Sequence, residues 1–263
     1  MKSPSEPANT ITFLGTAGAR FMVSKQLAAS GGIWLDLNGT QLLLDPGPGT
    51  IVQYNKLKLN AEKLSAIIAS HRHIDHTGDV NVMIEAMTNG GFNRHGKFFA
   101  PADALDKEPV IFSYLKRYIE GIEVLEEGKS YTVGGVTFST PVQHKHSVET
   151  YGILFQTKEH KFAYIADTLY FEDLSKYYQG SDLIILNTVF DKPFPPVQHL
   201  AIVDAAKIIT EIKPKAAVLT HYGIHVWQAQ PGKIAEEMTK QTGVKVIAAR
   251  DGMKLDLAKL EEV

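Results

Sequence analysis

The chain has 263 residues, no cysteine and a formal net charge of −2; its 44% apolar and 21% charged content is that of a globular protein with a sizeable core. Without thiols there is no disulfide scaffold and no thiolate metal site, so any metal must be held by nitrogen and oxygen. The near-zero charge supplies no overall basic field for nucleic acid or anionic membrane.

The polar, proline-bearing start MKSPSEPANT lacks the apolar centre of a signal peptide. No apolar run approaches the ~20 residues that span a bilayer. A cytoplasmic protein without membrane contact is expected. In chain order, Thr10–Leu14 reads as a strand. Ile33–Leu37 and Gln41–Asp45 flank Asn38-Gly39, which suits the positive φ values of a type I′ hairpin turn. A Pro/Gly corner, DPGPGT, follows. Leu64–Ala69 is a short apolar strand of the buried kind. Asp79–Met87 reads as a helix with Val80, Met83, Ile84 and Met87 on one face.

Lys97–Ala100 resumes a strand, and Ile111–Ile119 has the spacing of a surface helix. Two further hairpins are expected, one turning at Gly134-Gly135 and one linking Tyr151–Thr157 to Lys161–Ala166. From Leu183 the order becomes strand, helix, strand, helix, strand. The strands are Leu183–Leu186, Ala216–Thr220 and Val244–Ala248, and the helices are His199–Ile212 and Pro231–Thr242. No linker or short repeat divides the chain, so residues 1–263 are read as one α/β domain with two sheets and peripheral helices.

The chemistry concentrates in SHRHIDHTGD, residues 70–79, directly after the apolar strand. Histidines at i and i+2 share a side in an extended segment, so His71 and His73 can clasp one ion while Arg72 faces away. Asp75 and His76 follow where the chain turns toward a helix, placed to start a second, adjacent site. Paired metals suit hydrolysis, because they ready a hydroxide at neutral pH and clamp a developing oxyanion. An isolated histidine is more often a satisfied core or surface residue. Four metal-binding side chains in six residues at a strand end favour the metal reading.

HRHIDH fits the motif H-x-H-x-D-H at every fixed position, and the chain resembles the metallo-β-lactamase superfamily, in its ribonuclease Z-like and phosphoribosyl cyclic phosphate phosphodiesterase-like branch. The resemblance runs from FLGTAGAR through LLLDPGPGT to AVLTHYG. It implies a four-layer αββα sandwich of two mixed β-sheets with outer helices. In QHKHSVETYG the family's third histidine precedes an aromatic-Gly pair by five residues; Tyr151-Gly152 then selects His146, with His144 beside the site as its competitor. YIADT resembles the strand-ending Gly-Asp-Thr, with Ala166 for glycine and Asp167 as the bridging carboxylate.

The implied assignment is His71, His73 and His146 on one ion, and Asp75, His76 and His221 on the other. Asp167 lies between them, and Asp75 also orients or deprotonates the attacking water. Asp167 and His221 each end an apolar strand, and ligands at the carboxyl ends of strands converge on one rim. Asp45 is implied as the carboxylate that orients a ligand histidine.

His199 follows PFPPVQ at the expected start of a helix, where a histidine is a poor cap. It resembles the histidine that contacts the scissile phosphate and protonates the leaving oxygen in the same branch. His225 is read as indifferent to the site, His95 and His160 as solvent-exposed, and Phe92, Phe98 and Phe99 as core.

The implied activity is hydrolysis of a phosphodiester, small, cyclic or in RNA, by a hydroxide bridging two divalent ions. Zinc is the commonest assignment for such ligands, and manganese or iron is also accepted. A nucleotide or other small-molecule substrate and a homodimer go with this expectation. The alternatives are a thioester or lactone hydrolase of the same superfamily, a tRNA 3′-processing endonuclease, and a non-catalytic scaffold. Only 21 residues separate His146 from Asp167, room for a hairpin but not for the tRNA-gripping arm of ribonuclease Z. A second departure is LILNTV, where relatives often place an acid at or near Asn187. The scaffold predicts missing ligands, and none of the seven is missing.

Overall fold

The computed structural model describes residues 9–260; the start of the chain, read above as no signal peptide, falls largely outside them. Residues 10–125 supply most of the first sheet: β1 (Thr10–Phe13), β2 (Ile33–Leu37), β3 (Thr40–Leu44), β4 (Leu64–Ile68), β5 (Lys97–Pro101) and β6 (Gly121–Leu125). The second sheet takes β7 (Lys129–Val133), β8 (Val136–Thr140), β9 (Ile153–Gln156), β10 (Lys161–Ile165), β11 (Leu183–Asn187), β12 (Ala216–Thr220) and β13 (Lys245–Ala248). A last strand, β14 (Lys254–Asp256), returns to the first sheet and pairs antiparallel with β1. Each sheet is mixed. Pairing is antiparallel from β14 to β3 and from β7 to β10, and parallel from β3 to β6 and from β10 to β13.

The helices are α1 (Ala19–Lys25), α2 (Thr50–Lys56), α3 (Ile74–Thr77), α4 (Val80–Met87), α5 (Ile202–Ile212), α6 (Ile224–Gln228) and α7 (Pro231–Thr242). Strand alternation explains the layers. In β4, Ala66 and Ile68 join Leu35, Leu44, Phe138, Phe155 and Ile185 between the sheets, while Leu64 and Ile67 pack outward against Val80, Met83 and Met87 of α4. In β11, Ile185 points inward, and Ile184 and Leu186 meet Ala205 and Ile209 of α5. Each buried leucine, isoleucine, valine, methionine or phenylalanine among them stabilises the fold by roughly 1.5–3 kcal/mol. The result is the αββα sandwich, with helices outside both sheets.

Several expectations needed correction. Ile111–Ile119 is not a helix. Only Leu115–Arg117 forms a 3-10 turn, although Ile111, Leu115 and Ile119 are buried as the spacing required. The Asn81 amide takes the Phe112 N–H and donates to the Val110 carbonyl, tying the segment's start to α4. α5 begins at Ile202, not His199, because Ala201 bridges to Phe190 and Asp204 Oδ2 accepts the Ala201 N–H at 2.9 Å. Phe98 and Phe99 are core, but Phe92 is 93% exposed on a glycine-rich turn. His95 and His160 are half-buried rather than exposed; both ring nitrogens of His95 meet backbone carbonyls. Strand β6 and helices α1 and α2 had no clear periodic signal.

For function, the decisive feature is alignment. β3, β4, β10, β11 and β12 run parallel within their sheets, with Leu44 beside Ile68, Ile165 beside Leu186 and Asn187 beside Thr220. Asp45, Ser70, Ala166 and His221 follow the ends of β3, β4, β10 and β12, and Asn187 ends β11; all open on one rim.

Candidate metal centre

At that rim the HRHIDH segment leaves β4 and turns into α3. Arg72 points away, donating from Nε to Asp103 Oδ2 at 2.8 Å and pairing with Glu108. His71 Nε2 and His146 Nε2 each lie 3.1 Å from His73 Nδ1. Tetrahedral coordination at ~2.0–2.1 Å would hold its nitrogens roughly 3.3–3.4 Å apart, so this triad has the spacing of one ligand set. Asp75, His76 and His221 make a second group, and Asp167 joins His71 and His76 in a third; within each group the ligand atoms lie within 4.8 Å of one another. Asp167 Oδ2 stands 3.4 Å from His76 Nε2, 3.8 Å from His71 Nε2 and 3.3 Å from His199 Nδ1. Thus Asp167 lies between the two triads.

Behind the rim, Asp45 is a hub. Its Oδ1 accepts the Ser70 N–H at 2.6 Å, and its Oδ2 accepts from the Ser70 hydroxyl, His76 Nδ1 and the Tyr164 hydroxyl at 2.7–2.9 Å. His76 Nδ1 therefore carries a proton, and Nε2 faces the cluster. The Ser70 hydroxyl spends its only hydrogen on Asp45, so at 3.0 Å it accepts from His71 Nδ1 and frees His71 Nε2. His146 is set from the other sheet: its Nδ1 donates to the Gln198 carbonyl at 2.8 Å. Such partners orient ligands and fix their tautomers.

The electrostatics call for a cation. Burial first, then His76, holds His71 well below the ordinary histidine range; burial and His146 lower His73 to about 4; burial also lowers His146. All three are neutral at pH 7, with lone pairs available. Burial would also lower His76, but Asp75, Asp45 and Asp167 outweigh it and raise its pKa. Burial opposes ionisation of Asp167 and Asp75, yet the surrounding histidines keep both carboxyls below the usual range. His76 Nε2, Asp167 Oδ2 and both nitrogens of His221 are buried with no hydrogen-bond partner among the described residues. Unpaired buried polar atoms cost about 1–3 kcal/mol each, and a divalent ion would satisfy them. Asp45, His221 and Ala19 also hold φ values of 51°, 56° and 60°, left-handed conformations that cost of order 1–3 kcal/mol each.

The structure brings His71, His73, Asp75, His76, His146, Asp167 and His221 together, with His199 against Asp167. His144 stays out of the cluster: it is buried, with Nε2 2.8 Å from the Tyr178 hydroxyl. Gly152 makes room for that pair, since a Cβ there would collide with both. His225 is exposed on α6. Ser70, Tyr164 and Asn187 were not foreseen as partners of the site. Ser70 was detectable as the polar residue between an apolar strand and His71; Tyr164 looked like any aromatic in a buried strand.

With the geometry in place, the comparisons are specific. Residues 40–222 match the family described as the beta-lactamase superfamily domain. The chain belongs to this superfamily. A 31% identical protein, MJ1374 of Methanocaldococcus jannaschii, covers 94% of both chains. A ribonuclease Z of Borrelia duttonii is 24% identical, covering 93% of this chain and 96% of its own. Among solved structures, the metallo-β-lactamase fold protein YhfI of Bacillus subtilis matches with a TM-score of 0.78 and 23% identity over 95% of this chain and 99% of its own. A diphosphatase of the PhnP family matches with a TM-score of 0.70 and 23% identity over 94% and 97%. The metallo-β-lactamase fold is therefore that of this chain. The superfamily is one of metal-dependent hydrolases, and the His/Asp cluster fits a divalent ion. No described helix is long and apolar enough to cross a membrane.

Proposed function

We propose that this superfamily member hydrolyses phosphodiester bonds in a small or cyclic substrate, using two divalent metal ions. The observation that carries the reading is Asp167, whose Oδ2 faces His71, His76 and His199 at once. His71, His73 and His146 would hold one ion, and Asp75, His76 and His221 the other, with Asp167 between. Bound there, zinc, manganese or iron would ready a water at neutral pH and offset charge on the phosphoryl oxygens.

The chain's own residues do the rest. Asp75, kept ionised by His76 and His221 and fixed by the Ala19 N–H at 3.2 Å, orients or deprotonates the attacking water. His199 is the proton donor to the leaving oxygen. In the metal-free protein burial lowers its pKa, but Asp167 and Asp75 outweigh burial and raise it. Its place beside Asp167 puts a proton donor within reach of the leaving group, as general-acid catalysis requires. Its ring is held against Phe190, and the adjacent Gln198 carbonyl is tied to His146.

Substrate size follows from what the rim lacks. Between His146 and Asp167 the chain makes only the β9–β10 hairpin. The ribonuclease Z alignment runs over 320 residues while taking in only 93% of this 263-residue chain, so that relative carries segments without a counterpart here. The likeness to a PhnP-family diphosphatase fits a smaller phosphate ester better than tRNA. The same reading makes residues 1–263 one functional unit acting in the cytoplasm as a homodimer, which light scattering measures.

The test is a panel of phosphodiester, cyclic phosphate, thioester and lactone substrates with the metal-loaded protein. Phosphodiester turnover that is lost in His71→Ala supports the reading. Thioester or lactone turnover alone would replace it, and a metal-free, inactive protein would revive the scaffold.

A further inference from the structure

The rim holds one buried polar side chain that the proposed chemistry has not absorbed: the neutral Asn187 at the end of β11, 2% exposed. Its Nδ2 donates to Asp167 Oδ1 at 2.9 Å and to the Tyr164 hydroxyl oxygen at 3.0 Å. The amide orientation is not arbitrary. Tyr164 gives its only hydroxyl hydrogen to Asp45 Oδ2, and Asp167 offers a carboxylate oxygen, so both neighbours are acceptors. Turned over, the amide would set its carbonyl oxygen against two other oxygens. An ionised acid at 187 would do the same, placing two carboxylates in contact in a buried site.

We infer that Asn187 is a positioning residue that decides which oxygen of Asp167 serves the metal centre. Its N–H occupies Oδ1, whose other near neighbour is His221 Nδ1 at 3.6 Å, and Oδ2 is left as the oxygen facing His71, His76 and His199. Asp45, Tyr164, Asn187 and Asp167 thus form one chain of hydrogen bonds across the two sheets. The carboxylate that holds His71 and His76 in register from the first sheet also sets, through two intermediaries, the carboxylate between the ions. The inference rests on the metal reading of the site, not on the identity of the substrate.

The experiment compares zinc affinity by chelator competition, and the visible spectrum of cobalt-loaded protein, for wild type, Asn187→Leu and Tyr164→Phe. Asn187→Leu keeps the branching and the number of heavy atoms, is slightly larger, and removes the donor. It is expected to weaken zinc binding about 10–100-fold and to alter the cobalt spectrum, because the freed Oδ1 changes the ligand set. Tyr164→Phe keeps the Asn187–Asp167 bond and should shift both readouts in the same direction by less. Unfolding of the metal-free proteins checks that the variants fold. Wild-type affinity and spectrum in a folded Asn187→Leu would overturn the inference while leaving the metal centre intact. Wild-type protein that binds no zinc would instead remove the metal reading, and this inference with it.

Discussion

The two sheets bring their ligands to the rim in different states. On the first sheet, His71 and His76 are braced from behind by Ser70 and Asp45, and Asp75 by the Ala19 N–H. On the second, His146 has the Gln198 carbonyl and Asp167 has Asn187, but His221 and the Nδ1 of His199 have no hydrogen-bond partner among the described residues. The first rim is preorganised by one buried carboxylate. On the proposed reading the second would be completed by the arriving cation and substrate, with the adjustable groups on the side of the proposed proton donor.

Removing the hub tests that contrast most severely. Asp45→Ala leaves the His76 imidazole and three other donors without their buried acceptor, and is expected to cost on the order of 3–5 kcal/mol in urea unfolding of the metal-free protein. Asp45→Asn should cost nearly as much, because its amide would face donors. A loss below about 1 kcal/mol would show that the first rim does not depend on one hub.

The opposite rim is tested by kinetics. His199→Ala is expected to lower kcat ~10²–10⁴-fold for a diester with an alkyl leaving group. Nitrophenolate, which leaves without a proton, should be spared most of that loss. Equal losses on both substrates would make His199 a binding residue rather than an acid.

Below the second rim, pH is the lever. Burial lowers His144 to about 4, whereas a histidine in the unfolded chain titrates near its ordinary value of about 6.5. Between those values the unfolded state binds more protons, so stability falls as pH drops through that window. The gap corresponds to roughly 3 kcal/mol for this residue. Metal-free protein should therefore unfold more readily at pH 4.5 than at pH 7, and His144→Gln should flatten the difference. An unchanged slope would remove His144 as a contributor. The smallest effect is steric: Gly152→Ala pushes a methyl into the His144–Tyr178 pair and is expected to cost about 1–3 kcal/mol, measured by the same unfolding. No loss there would mean the pair moves freely.

The same contrast explains what was legible in the residues. The first rim's ligands lie within six positions, where i, i+2 geometry and a strand end make the pattern readable. His146, Asp167 and His221 are single residues at three separate strand ends, and family likeness was needed to pick them out. Choosing His146 over His144 required the Tyr151-Gly152 spacing, whose physical basis is the space Gly152 leaves for His144 and Tyr178. The Ile111–Ile119 segment shows the limit of periodicity: the buried spacing was right, but Asn81 on a distant helix decided the backbone.

By itself, the order of residues determined the alternating strands, the absence of thiolate ligands and the concentration of nitrogen donors after β4, because these depend on neighbours in the chain. Tertiary structure alone decided that Asp45 reaches Ser70, His76 and Tyr164, and that Asn187 selects one oxygen of Asp167. Those hydrogen bonds join residues 20 to 119 positions apart: Asp45–Ser70, Asp45–His76 and Asn187–Asp167 exist only once strand ends are aligned within a sheet, and Asp45–Tyr164 only once the two sheets have packed face to face.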